Sequence, residues 1–206
     1  MRSMDCSPAR YVVAPKPSTF DYFTERYYYQ YVVKGCKGVE GNNCRLLVHS
    51  NGICVLCLDE THVAVEAAGV AAAAKSGGAA ENGTVASVVF GSGRGNSQIS
   101  SGNIHVSGKR KRHAAICQAD TNICLITMTS GAVYRVPACV DGFVLELNSA
   151  LQQHPNLVTH APTTEGYIAL ISPNYSKVRF GDFTRLSVPT GGDVVEDDDG
   201  AEEMQI

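Results

Sequence analysis

Cysteine and histidine are the residue types whose spacing first suggests chemistry, and the 206-residue chain contains eight cysteines and six histidines. Cys54 and Cys57 have the Cys-x-x-Cys spacing of zinc and redox sites. The apolar run around them predicts a β-strand, however, in which residues three apart point to opposite faces. Neither a second such pair nor suitably spaced histidines complete a set of four ligands in the sequence. We therefore predict no metal ion and no cofactor.

A looser pair, Cys36 and Cys44, stands at the two ends of a glycine-containing loop. One interpretation is a disulfide or a metal ion, and the other is a buried or unreactive pair of thiols. Nothing else in the sequence indicates an oxidising compartment, so we expect free and mostly buried thiols.

The sequence also lacks the common motifs of catalysis. Its glycine-rich stretch "GSGRGNS" has no Gly-Lys-Ser/Thr of a phosphate-binding loop, and neither a nucleophile elbow nor a His-Glu-x-x-His zinc helix occurs. The scattered histidines set up no acid–base pair. We therefore predict a non-enzymatic protein.

Four consecutive cations, Lys109, Arg110, Lys111 and Arg112, follow the turn residues Ser107-Gly108. An exposed Lys/Arg cluster of this kind is what a nuclear localisation signal needs, and its field attracts an acidic protein surface or a phosphate backbone. The alternative is a solvated turn without a partner. We predict a role in nuclear import and partner binding, whereas nucleic-acid binding has weaker support because aromatic residues are not interleaved with the cations.

Charge divides the chain into a mildly basic body and an acidic end. Residues 193–206 contain seven acidic and no basic residues, and the 17 basic and 13 acidic residues before them give residues 1–192 a formal charge of +4. We predict an acidic, disordered tail over 191–206 that competes with partners for the basic run. No apolar run reaches the roughly 20 residues of a membrane span. We therefore expect a soluble, intracellular chain without a membrane partner.

Hydrophobic patterns predict a β-rich fold with one or two short helices. An aromatic stripe at helical spacing (Phe20, Phe23, Tyr27 and Tyr31) predicts a helix from Ser18 that docks on the body. Two apolar runs around Asn51-Gly52 predict a hairpin with a type I′ turn, and "HVAV" suggests a further strand. Strand patterns recur at "TVASVVF", "NIHV", "HAAICQA", "NICLITMT", "AVYRV", "FVLEL" and "GYIALIS", while "NSALQQHP" suggests a short helix capped by Asn148.

The predicted organisation is a single domain with appendages. Residues 1–17 form a flexible arm, in which an organelle-targeting signal remains an open alternative, and residues 18–190 form the domain with its docking helix. An alanine- and glycine-rich stretch over 67–84 offers little apolar bulk and is predicted to be a mobile insertion.

The stretch from 136 to 173 resembles the end of the glycine cleavage H protein and its lipoyl-bearing relatives. Pro137, Gly142, Glu146, Asn148, Pro155 and Glu165-Gly166-Tyr167 follow in that family's order. The resemblance implies a barrel-sandwich hybrid of two small twisted sheets with a protruding hairpin. That family carries lipoate on a lysine at the hairpin tip. The corresponding positions here are Thr129, Ser130 and Gly131, which offer no amine for the amide bond, so no lipoyl chemistry is expected.

A wider resemblance covers residues 21–173. "DYFTERYY", "GCKGVEGNNCRLLVHSNGICVLCLDETH", the "VSGKRKR" run and the "TTEGYIA" ending are similar in content and order to the Abitram (Simiate) family, whose fold is H-protein-like and lacks the lysine. The resemblance implies an actin-binding protein that modulates filament assembly, with cytoplasmic and nuclear, speckle- and transcription-linked pools. The alternatives are a lipoate-free H-protein-like accessory and a nucleic-acid-associated factor.

Overall fold

The computed structural model describes residues 23–74, 83–91, 99 and 114–189. Ten strands and four α-helices lie within these ranges. The helices are α1 (Phe23–Tyr27), α2 (Val63–Ala74), α3 (Ala150–Gln153) and α4 (Leu157–His160). The strands are β1 (Tyr28–Val33), β2 (Cys44–His49), β3 (Cys54–Leu58), β4 (Val85–Phe90), β5 (Ala115–Cys117), β6 (Asn122–Met128), β7 (Val133–Pro137), β8 (Gly142–Leu147), β9 (Ala169–Pro173) and β10 (Thr184–Ser187).

The strands form two antiparallel sheets. The larger has the order β10-β1-β2-β3-β9-β8-β5, and the smaller has the order β4-β6-β7. Side chains of both sheets, such as Leu46 and Leu56 from the larger and Val88 and Ile126 from the smaller, meet in one buried cluster. The predicted β-rich class with a few short helices is confirmed. Burial of this apolar surface is the main term that holds the two sheets together.

The predicted N-terminal helix is wrong in its C-terminal extent and in its role. Of its described residues, 23–33, only Phe23–Tyr27 is helical, and the chain enters β1 at Tyr28. No residue of α1 is buried, and Phe23 is 62% exposed. The β-branched and aromatic residues of "YYQYVV" favour a strand because β2 is available to pair with it along its full length. Phe20 lies outside the described residues.

The predicted hairpin at Asn51-Gly52 is present as β2–β3, but its turn is of a different type. Only Gly52 has a positive φ, of 84°, whereas a type I′ turn requires positive φ at both central residues. The Gly52 N–H donates to the His49 carbonyl at 2.8 Å, and Asn51 Oδ1 accepts from the Ile53 N–H at 3.0 Å. The loop between β2 and β3 is therefore longer than the predicted two-residue turn, and the Asn51 side chain stabilises it by accepting the Ile53 N–H.

Three further elements, α2, α4 and β10, differ from the sequence prediction, whereas α3 agrees with it. "HVAV" is not a strand: α2 begins at Val63 and runs into the first part of the predicted insertion. The short helix after Asn148 is present as α3. Helix α4 and strand β10 were not predicted, because four-residue elements carry too short a periodic pattern.

Several predictions fall on parts of the chain outside the described ranges: the arm over 1–17, the strand "NIHV", the basic run over 109–112, the tail over 191–206 and residues 75–82 of the insertion. Within the described ranges, none of the helices combines the length and apolar character that crossing a membrane requires.

Candidate functional site: a buried cluster of three thiols

The hairpin tip that corresponds to the lipoyl position is solvent-exposed. Strands β6 and β7 pair in antiparallel fashion, and Thr129, Ser130 and Gly131 form the turn between them. The Gly131 N–H donates to the Met128 carbonyl at 2.9 Å, and the Thr129 N–H donates to the Thr84 carbonyl at 2.9 Å, so the residue just before β4 supports the turn. Hydroxyl groups are the only functional groups that these three side chains offer.

Four of the residues that carry the H-protein resemblance, Glu146, Asn148, Glu165 and Tyr167, are linked by hydrogen bonds. Asn148 Nδ2 donates to the carbonyls of Glu165 and Tyr167 at 2.7 and 2.8 Å, and its Oδ1 accepts from the Ala150 N–H at 3.2 Å. The Tyr167 hydroxyl donates to Glu146 at 2.7 Å. Partial burial, then the Glu146 carboxylate, raise the pKa of Tyr167 to about 12. These contacts join β8, α3 and β9, so the motif is explained by packing.

Cys36, Cys44 and Cys139 come together although they lie on three separate segments. Cys36 begins a 3₁₀ turn after β1, Cys44 is the first residue of β2, and Cys139 lies in the connection between β7 and β8. All three side chains are buried, and their sulfur atoms lie within 4.8 Å of one another. This is the one group of three or more metal-ligating side chains found in the described part of the chain. Sequence spacing suggested the first two and missed Cys139.

The backbone around this thiol cluster adopts conformations that disfavour ordinary side chains. Lys37 and Cys139 have φ values of 60° and 65°, and they are the two described non-glycine residues with positive φ. Such conformations cost on the order of 1 kcal/mol each. The Cys36 N–H donates to the Asn42 carbonyl at 2.8 Å, and the Cys139 N–H donates to the Ala119 carbonyl at 2.8 Å. These hydrogen bonds hold the two sulfur-bearing loops in place.

The three thiols share their protons unequally. The pKa of Cys36 is lowered because two neighbouring thiols hydrogen-bond to its sulfur. The hydrogen bond from Cys139 has the larger effect, and that from Cys44 the smaller. The pKa values of Cys44 and Cys139 are raised well above the usual range, because each of them keeps its proton in a hydrogen bond to a neighbouring thiol and is buried. The Cys36 and Cys139 sulfurs are 3.9 Å apart.

His62 lies next to the cluster but is fully engaged elsewhere. Its Nδ1 accepts from the Ala64 N–H at 3.0 Å, so its Nε2 carries the proton and donates to Asn42 Oδ1 at 2.9 Å. The Asn42 amide donates to the carbonyls of Cys36 and Arg135 at 2.8 and 3.0 Å. Burial lowers the pKa of His62 to about 4. This buried histidine therefore acts as a neutral brace between α2 and the Cys36 loop.

The remaining described cysteines are isolated, buried thiols. Burial raises the pKa of Cys54 and of Cys57 to about 12 and that of Cys117 to about 11, and it raises the pKa of Cys124 further still. All seven described cysteines are free and buried. Cys54 and Cys57 lie on β3, and they do not belong to the thiol cluster.

The basic run over 109–112 lies outside the described residues, but the strand that follows it is described. Ala115, three positions after Arg112, begins β5, the last strand in the order of the larger sheet. Ile116 on β5 is 67% exposed, and its cross-strand neighbour Phe143 on β8 is 39% exposed. Ile116, four positions after the last cation, therefore forms an exposed apolar pair with Phe143 of the neighbouring strand.

The described residues thus define a two-sheet β protein with a buried thiol cluster and an exposed hairpin turn. The chain is 34% identical over 157 residues to Protein Abitram of Drosophila melanogaster, a match that covers 76% of this chain and 60% of that protein. It is 32% identical to Protein Abitram of Danio rerio, covering 78% and 79%, and 30% identical to that of Homo sapiens, covering 74% and 75%. The chain belongs to the Abitram family, which confirms the resemblance seen in its motifs.

Comparison with solved structures gives a similar chain in a glycine cleavage system H protein from Mycobacterium marinum. The two are 11% identical with a TM-score of 0.44, and the match covers 75% of this chain and 89% of that one. A scan against protein-family models gives no match.

Proposed function

We propose that this chain is a non-enzymatic binding protein whose partner is actin, and that it modulates actin assembly. Membership of the Abitram family and the implied actin binding of that family's members motivate the choice of partner. The observation that carries the proposed surface is the exposed pair Ile116 and Phe143. The four consecutive cations, 109–112, precede Ile116 closely in the sequence. A protein partner with an acidic, partly apolar surface fits this combination.

The charges and the apolar pair make different contributions to such an interface. Clustered cations raise the association rate with an acidic surface, and salt screens their effect. The apolar pair supplies area that is removed from water on binding, at roughly 25 cal/mol per Å² of apolar surface. The two contributions are separable, because only the first weakens with added salt.

Co-sedimentation with actin filaments tests the proposal. We expect the variant with Lys109, Arg110, Lys111 and Arg112 changed to alanine to pellet less than the unchanged protein, most clearly at low salt. The matched control removes four exposed cations from the described surface, in the variant R26A/K34A/K177A/R179A, which has the same net charge. Equal pelleting by both four-residue variants would show that the basic run makes no specific contribution to actin binding.

A second pair of variants tests the apolar half of the surface. Ile116→Ser is expected to weaken pelleting at both low and high salt, because it removes apolar contact area. Val89→Ser changes an apolar residue that is 51% exposed on the smaller sheet and serves as the control. No pelleting of the unchanged protein at any salt concentration would refute actin as the partner, and retention on single-stranded RNA with a steep salt dependence would favour the nucleic-acid alternative.

We further propose that the chain is present in both nucleus and cytoplasm and that the same run, 109–112, is read by the import machinery. The short Lys/Arg cluster in the sequence is the feature that supports this. A fluorescent fusion of the four-alanine variant is expected to lose its nuclear pool while R26A/K34A/K177A/R179A keeps it. A nuclear pool that is unchanged in the four-alanine variant would contradict the proposal.

A further inference from the structure

We propose that Cys36, Cys44 and Cys139 bind a zinc ion, with their three sulfur atoms as the protein ligands and a solvent molecule in the fourth position. The proposal rests on the geometry of the thiol cluster and is independent of actin binding. Thiolate sulfur is a ligand that zinc prefers, and three protein ligands with one open position are a known zinc arrangement.

The distances between the sulfur atoms are close to those that a shared metal ion demands. Zinc–sulfur bonds of about 2.3 Å in a tetrahedral arrangement place the sulfur atoms about 3.8 Å apart. The Cys36 and Cys139 sulfurs are 3.9 Å apart, and no pair in the cluster exceeds 4.8 Å. A contraction of at most about 1 Å in side-chain position, without a change of fold, would complete the site.

The charge balance favours zinc over a monovalent thiophilic ion. Three thiolates around Zn²⁺ leave one negative charge, whereas three thiolates around Cu⁺ leave two, and a buried charge is costly unless it is compensated. Lys37 follows Cys36 directly, and its ammonium group hydrogen-bonds to the Asp120 carbonyl. A single cation next to a ligand in the chain can compensate the one negative charge of the zinc form, but not the two charges of the copper form.

The supporting contacts leave the three sulfurs available while they fix the loops that carry them. His62 cannot become a fourth ligand in this conformation because both of its ring nitrogens are engaged, by Asn42 and by the Ala64 N–H. The Asn42 amide instead holds the Cys36 carbonyl. Cys36 and Cys139 are 5% and 6% exposed, so the cluster lies just below the surface, where a solvent molecule can reach the fourth position.

Metal binding exchanges protons for zinc–sulfur bonds. Without a metal ion, the Cys36 sulfur lies 3.4 Å from the Val33 carbonyl oxygen, and the Cys139 sulfur lies 3.6 Å from the Pro137 carbonyl oxygen. Zinc–sulfur bonds replace the S–H bonds of those thiols that are still protonated, their protons leave to solvent, and no electron is transferred. Zinc affinity is therefore expected to fall as the pH is lowered, since protons compete for the same sulfur atoms.

Titration of the reduced, chelator-treated full-length chain with Zn²⁺ against a chromophoric competitor tests the proposal. We expect one equivalent to bind, and Co²⁺ used as a spectroscopic probe should give a thiolate-to-metal charge-transfer band. Cys139→Ala is expected to weaken binding by about 100-fold or more, since losing a ligand costs at least as much as losing a group that supports one. Cys124→Ala, another fully buried thiol of the same core, is the matched control and should bind as the unchanged chain does.

A measurement on the unchanged chain keeps the test decisive if Cys139→Ala does not fold. Saturating Zn²⁺ should slow alkylation of Cys36, Cys44 and Cys139 in the folded protein, read out peptide by peptide by mass spectrometry, with the Cys124 peptide as the reference. Loss of zinc binding in Cys124→Ala equal to that in Cys139→Ala would overturn the proposal. Alkylation rates that Zn²⁺ does not change would also overturn the proposal. So would a disulfide between Cys36 and Cys139 that forms in the presence of Zn²⁺.

Discussion

Asn42 connects three segments of the chain through one buried side chain. Its amide nitrogen donates to the carbonyls of Cys36 and Arg135, and its oxygen accepts from His62. Asn42 itself is 1% exposed. Replacing it would leave the buried His62 Nε2–H without its acceptor and would take one donor from each of the two carbonyls, although the Cys36 carbonyl keeps the Val39 N–H at 3.3 Å. A buried polar group that loses its partner costs about 1–3 kcal/mol unless water enters. The side chain is therefore structural, although an asparagine between Gly41 and Asn43 is typical of a turn in the sequence.

Asn42→Ala is accordingly expected to lower the free energy of unfolding by about 3 kcal/mol, measured by urea denaturation. The control is Asn174→Ala, which removes one exposed hydrogen bond, from the Ser176 N–H, and should cost less than about 1 kcal/mol. Equal losses in the two variants would mean that the contacts between Asn42, His62 and the Cys36 loop do not stabilise the fold.

His62 gives the protein a pH-dependent stability whose sign follows from its lowered pKa. Burial lowers its pKa from 6.5 to about 4 in the folded state, although the charges of Cys36 and Asp59 act in the opposite direction. Between these values the unfolded chain binds a proton that the folded chain does not. The free energy of unfolding therefore decreases as the pH falls from about 6.5 to about 4, by at most about 3 kcal/mol in total. At pH 7 and above, both states hold a neutral histidine and this dependence is absent.

Urea denaturation at pH 7 and pH 5 checks this prediction. The unchanged chain should lose stability between the two values, and His62→Gln should lose clearly less, because glutamine supplies a donor and an acceptor but does not titrate. His154→Gln changes an exposed histidine and should retain the dependence of the unchanged chain. An identical pH dependence in His62→Gln would show that other groups are responsible.

At the scale of elements, Gly142, the first residue of β8, lies where the backbones of β8 and β9 approach each other closely. A methyl group at this position would overlap the Ser172 carbonyl oxygen and lie 2.9 Å from the Pro173 Cα atom of β9. We expect Gly142→Ala to destabilise the fold by about 2–3 kcal/mol, because β8 and β9 must separate to admit it. Gly181→Ala is the control, since an added methyl group there has no atom within 4 Å. Thermal denaturation of both variants measures the difference, and equal melting temperatures would contradict it.

The strands were largely predictable because their signal is local. Strand-like apolar patterns bounded by turn residues located β2 through β9. The prediction failed at residues 28–33, because an aromatic stripe at helical spacing also supplies the alternation of a strand. These residues form a strand because they pair with β2 and β10, and the local sequence pattern does not reveal those pairings.

The thiol cluster shows the opposite limit of local patterns. Cys36 and Cys44 were suggested by their position at the ends of one loop, but Cys139 lies more than ninety positions further along the chain. It reaches the loop because β7 pairs with β6 in the smaller sheet and the chain then passes into β8 of the larger sheet. Nothing in the spacing of the cysteines encodes that path. Only the tertiary structure brings the third sulfur to the other two.

For the whole molecule, the distribution of charge predicts how partner binding is regulated. The last fourteen positions, 193–206, hold seven acidic residues, while residues 1–192 have a formal charge of +4. Opposite charges on one chain attract each other at an effective concentration set by their tether, so the acidic segment competes with an acidic partner for the basic run. This competition should be weak and should disappear once salt reduces the Debye length to about 3 Å, near 1 M.

Deletion of residues 193–206 is therefore expected to tighten binding to actin filaments several-fold at low salt and to have no effect at high salt. A variant of the same length, with the seven acids changed to Asn or Gln, separates charge from chain length and should behave as the deletion does. When Lys109, Arg110, Lys111 and Arg112 are also changed to alanine, the deletion should no longer have an effect, because the competing cations are gone. Unchanged affinity on deletion at low salt would show that the two charged segments act independently.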